Sequence, residues 1–138
     1  MLCVHGYTQN ATNFWGLRQR LAARGHPSRS ISLWFRLAPM GWYRRRLERA
    51  LEDATREHPD GFDVVCHSMG GVVLRMVLHA RPDLRAGLRH VVTMGTPHCG
   101  TAAARGIPLL PEVQALKRSS PLLGDLPQLP VLLPGVDV

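Results

Sequence analysis

The stretch Val64-Val65-Cys66-His67-Ser68-Met69-Gly70-Gly71 decides how the chain is read. Two β-branched residues lead into a serine, and two glycines follow before an apolar helical run begins. A strand that turns abruptly into a helix in this way is the layout of a nucleophile elbow, with the Ser68 hydroxyl held up at the apex. Such a turn strains the serine backbone, so its neighbours have to be small. Gly70 meets that need on one side. Cys66, small but not glycine, stands where G-x-S-x-G has its first glycine.

Two more segments extend the pattern. Leu2-Cys3-Val4 reads as the end of a buried strand, followed at once by His5-Gly6-Tyr7. Further on comes Val91-Val92-Thr93-Met94-Gly95-Thr96-Pro97-His98-Cys99-Gly100-Thr101. With the elbow, these segments resemble the α/β-hydrolase superfamily of the lipase and esterase type. There a His-Gly pair shapes the oxyanion loop, and a GTPHxGT segment follows a later strand. The three motifs stand in the right order, about 60 and then 30 residues apart.

Size and composition agree with a single domain. The chain has 138 residues, short for that superfamily, and its 45% hydrophobic and 20% charged content argues against disorder. No apolar run approaches the roughly 18 residues of a spanning helix, and no signal peptide is visible. The near-immediate start in a strand suggests missing upstream sequence. The charge of +7 is carried by arginine, with Lys117 the only lysine. Arg44, Arg45, Arg46 and Arg49 are interleaved with Glu48, Glu52 and Asp53, which reads as a solvated helix face, so no nucleic-acid partner is expected. Three cysteines without ligand spacing suggest neither a disulfide framework nor a metal. No cofactor or metal is expected. Oligomeric state and compartment are not legible.

Periodicity gives strands at Met1–Val4, Ser30–Leu37, Phe62–Cys66 and Val91–Met94. Helices are expected at Asn13–Arg24, Trp42–Glu57 and Met69–His79. This alternation predicts an α/β fold, a mostly parallel sheet with helices on both faces. By the resemblance it is a partial α/β-hydrolase domain, incomplete at both ends. Its core spans about 1–100, a Pro-rich, lid-like or cap-like region with short helices about 101–130, and a last strand about 131–138.

The resemblance also implies roles. Ser68 is the nucleophile, and the backbone N–H groups of Tyr7 and Met69 form the oxyanion hole. His5 and Gly6 shape the oxyanion loop, while His67 and Gly70 support the elbow. Acid and base follow the serine in this fold. Asp137, after the apolar Val131-Leu132-Leu133, is the candidate acid, and Asp125 the weaker choice. No histidine follows Asp137. His98 is the later histidine expected at the same sheet edge as Ser68, although the resemblance gives it to a structural loop. The implied function is hydrolysis of a small-molecule or lipid carboxylic ester through an acyl-enzyme, impaired in the chain as written. A catalytically degenerate binding or scaffold protein, and a related thioesterase, acyltransferase or peptidase, remain as alternatives.

Overall fold

The computed structural model describes residues 1–33, 38–102, 104, 111–118 and 120–138. Four strands, β1 (Leu2–Val4), β2 (Arg29–Ile31), β3 (Phe62–His67) and β4 (Leu88–Met94), form one sheet in the order β2-β1-β3-β4. Every neighbouring pair is parallel. A parallel sheet needs a crossover between successive strands, and helices supply each one here. They are α1 (Trp15–Ala22), α2 (Met40–Glu57) and α3 (Met69–Ala80).

Alternation of side chains along the strands divides the core in two. Cys3 and Val65 face Phe14 and Leu17, under the segment that contains α1. Leu2, Val4, Val64, Cys66 and Val91 point to the other face, towards Leu47, Leu51 and Ala54 of α2 and the apolar α3. Buried residues of α2 recur at Tyr43, Leu47, Leu51 and Ala54, one stripe of an amphipathic helix. Its polar face carries the arginines and acids singled out above. Arg44 pairs with Glu48, and Arg81 reaches Glu48, Glu52 and Asp83, tying α2 to the end of α3. By contrast α3 is buried almost all round.

Local signals explain the element ends. Asn10 caps a 3₁₀ turn over Ala11–Phe14, its Oδ1 accepting from the Thr12 N–H at 2.9 Å, and α1 continues from that turn. Gly25 takes φ 78° beyond α1. The second strand is shorter than expected among described residues, and positions 34–37 of the expected strand lie outside them.

The expected last strand is corrected. Leu129–Leu132 is helical (α6), following the short helices α4 (Pro111–Gln114) and α5 (Pro121–Asp125). Leu129, Leu132 and Leu133 are buried while Val131 is 70% exposed, a spacing of three and four residues, not two. Pro130 sits in the first turn of α6, where its missing N–H costs nothing. Beyond it the chain touches the sheet through one parallel bridge, Asp137 to His90. No described helix is long and apolar enough to cross a membrane.

Candidate active site

Register brings the first two motifs together. Val4 pairs with Cys66, so His5-Gly6 leaves β1 opposite His67-Ser68. His67 in turn pairs with Met94, which places the Gly95–Gly100 turn at the same edge.

Ser68 has φ 52° and ψ −125°, a conformation that L-residues rarely occupy and that costs about 1–3 kcal/mol. Its N–H donates to the Met94 carbonyl at 2.8 Å, and its own carbonyl accepts from the Gly71 N–H at 3.2 Å. Bonds on both sides hold the strained residue. The side chain is half-buried at the N-terminus of α3, where first-turn N–H groups lack helical partners.

Three glycines allow the close packing. A Cβ on Gly6 would lie 2.8 Å from the Ser68 Cβ, so the loop after β1 rests directly on the serine. One on Gly70 would meet the Val4 and His5 carbonyl oxygens at 2.7 and 2.8 Å. One on Gly71 would stand 2.6 Å from Thr96 Cγ2, so the third motif covers the first turn of α3. Cys66 occupies the remaining small position. It is fully buried, and desolvation pushes its thiol well above the ordinary range, leaving it inert.

The histidines have separate duties. His5 is fully buried. Its Nε2 accepts from the Leu33 N–H at 2.7 Å, so the proton is on Nδ1, which donates to the Gly6 carbonyl at 2.8 Å. The ring thus joins the loop after β1 to the end of β2. Burial holds its pKa below the usual imidazole value despite the Gly6 bond. The unfolded chain therefore binds a proton below about pH 6.5 that the folded chain refuses. Its stabilising contribution is complete above that pH and is lost as pH falls towards the folded-state pKa. His98 shifts in the same direction, through burial and then the Arg75 charge, and adds to the slope. His5→Ala is expected to lower stability by about 2–4 kcal/mol near neutrality by orphaning two backbone groups. It should also flatten, without removing, the loss of urea midpoint on acidification. Equal slopes in both proteins would show that His5 is not kept neutral.

His67 is tied to a residue that sequence reasoning passed over. Its Nδ1 lies 2.9 Å from Gln9 Oε1, which also accepts from the Gly6 N–H at 2.9 Å. Gln9 thereby links the loop to the elbow. Only a polar side chain three residues past Gly6 hinted at this. Arg75 was also missed, because an arginine inside an apolar helix reads as a surface residue.

His98 and Asp137 are engaged in other contacts. His98 Nε2 is hydrogen-bonded to Thr93 Oγ1 at 3.1 Å, and its Nδ1 is buried with no partner among the described residues. Asp137 is exposed, and its carbonyl accepts from the Val91 N–H at 2.9 Å. It bridges His90, four residues before Met94. At about 3.3 Å per residue that is roughly 13 Å down the strand from the elbow. Asp125 ends α5 and is exposed. Among the described residues no group of three or more His, Cys, Asp or Glu is arranged to hold a metal ion.

A four-stranded parallel sheet, helices on both faces and a positive-φ serine between its third strand and the next helix define a chain of α/β-hydrolase, lipase-like fold. Among solved structures, the mature form of Bacillus licheniformis lipase BlEst2 superposes with a TM-score of 0.68 at 19% identity, over 85% of this chain and 54% of the lipase. The propeptide form gives the same score and identity over 29% of its length. This chain thus spans about half the length of the mature lipase. The family model of palmitoyl protein thioesterase matches residues 37–126, and the chain belongs to that family. No curated protein matches.

Proposed function

We propose that the protein is a serine hydrolase of carboxylic acyl esters or thioesters that works through an acyl-enzyme on Ser68. The observation that carries this reading is the positive φ of Ser68, with Gly6 packed against its Cβ. Side-chain packing alone gives no reason to keep a serine in so costly a conformation. The Ser68 Oγ attacks the acyl carbonyl carbon and passes its proton to a base. The oxygen of the tetrahedral intermediate then lies between the Met69 and Tyr7 backbone N–H groups. Collapse expels the alcohol or thiol, and water attacks the acyl-enzyme to release the acid and restore Ser68.

Family membership favours a long-chain acyl thioester as substrate, and the lipase-like fold accommodates an oxygen ester equally well. Asp137 remains the candidate acid and His98 a candidate base. Each would have to leave the contacts just described to act. Losing the base of a serine triad costs on the order of 10⁶ in kcat, so turnover depends on a histidine reaching Ser68. The degenerate-scaffold alternative draws on the same commitments of His98 and Asp137. A fluorophosphonate probe followed by peptide mapping separates the readings. The adduct is expected on Ser68. Full-length protein that resists the probe would favour the scaffold. Slow labelling of a folded His98→Ala variant would mean that His98 serves as the base.

A further inference from the structure

Arg75 lies in α3, two turns after Ser68, and is fully buried. Its Nε donates to the Pro127 carbonyl at 3.0 Å, Nη1 to the His98 carbonyl at 2.8 Å, and Nη2 to the Leu126 carbonyl. No carboxylate among the described residues pairs with it. A buried guanidinium is costly, and an apolar side chain of similar volume would fill the same space without that penalty. A planar fork of donors that meets three carbonyls in fixed directions is what an apolar residue cannot supply.

We propose that Arg75 is a positioning residue for the Ser68 site, an assignment that rests on the hydrolase reading above. It holds the Thr96–His98 turn and the Leu126–Pro127 segment against the elbow helix. The connection runs through few atoms. Arg75 grips the His98 carbonyl, and the His98 ring is bonded back to Thr93. Thr96 in the same turn packs on Gly71, in the first turn of α3. At the base of the turn, the Met94 carbonyl receives the Ser68 N–H. A strained backbone persists only where its surroundings over-determine it. The turn touches the elbow at two points, and Arg75 pins its far end.

The test compares Arg75→Lys, Arg75→Gln and Gly71→Ala in the full-length protein, by ester turnover and by amide hydrogen exchange. Arg75→Gln keeps some donors without the fork or the charge. It is expected to lower kcat by about 10–100-fold, as a sub-ångström to ångström misplacement of reacting groups does, with KM changed less than about threefold. Arg75→Lys should recover part of that loss. Exchange should rise at residues 68–72 and 94–98 in both. Gly71→Ala leaves Arg75 intact but drives a methyl into Thr96, and it should reproduce the kcat-dominated loss. It also keeps the proposal falsifiable if the Arg75 variants fold poorly. Normal kcat in Gly71→Ala, or in a folded Arg75→Gln, would overturn the assignment while leaving Ser68 in place. Turnover that survived Ser68→Ala would overturn the hydrolase reading, and this proposal with it.

Discussion

On the proposed mechanism, Ser68→Ala is expected to lower kcat for acyl-ester or acyl-thioester hydrolysis by about 10⁶-fold. The fold should survive the change. Alanine meets the same backbone penalty at φ 52° as serine. Thermal midpoint should therefore move little, and a catalytic effect is cleanly separated from a folding effect. Initial rates with a p-nitrophenyl ester and with an acyl thioester, measured on wild type and variant, decide the matter. Undiminished hydrolysis by a folded Ser68→Ala protein would remove the hydroxyl from the chemistry.

The second large effect is expected from Gly6→Ala. The added methyl would sit 2.8 Å from the Ser68 Cβ and 3.2 Å from Gln9 Oε1. Both Cβ atoms are fixed to backbone, so neither can swing aside, and relief has to come from moving the loop or the elbow. Either shift displaces Tyr7 relative to Met69. On the proposed mechanism this misplaces one oxyanion donor, which typically costs about 10²–10³ in rate, and that fall is expected in kcat with KM little changed. Overpacking should also cost about 1–3 kcal/mol of stability. Gly16→Ala is the matched control. It lies in α1 with open space where the methyl goes, so activity should be unchanged and stability should rise by about 0.5–1 kcal/mol. A Gly6→Ala enzyme with wild-type kcat would show that the loop after β1 does not shape the site.

The elbow was legible because its signals are local: β-branched residues, a serine and two glycines within eight positions. The sheet followed from alternation of apolar runs, and the all-parallel pairing agrees with that reading. What escaped were long-range partners. Gln9 meets His67 across 58 positions and Arg75 meets Pro127 across 52, and no local pattern announces either contact. The misread last strand has a different cause. Val131-Leu132-Leu133 viewed alone suits a strand, and its helical period appears only once Leu129 is counted. Asp137, expected at the end of that strand, meets β4 near its middle through a single backbone bridge to His90.

The backbone angles of Ser68 also limit which side chains could stand there. A threonine would bring a second branch on Cβ into a region of conformational space that β-branched residues avoid. Cysteine has no such branch. A cysteine at position 68 therefore carries a smaller backbone penalty than a threonine would.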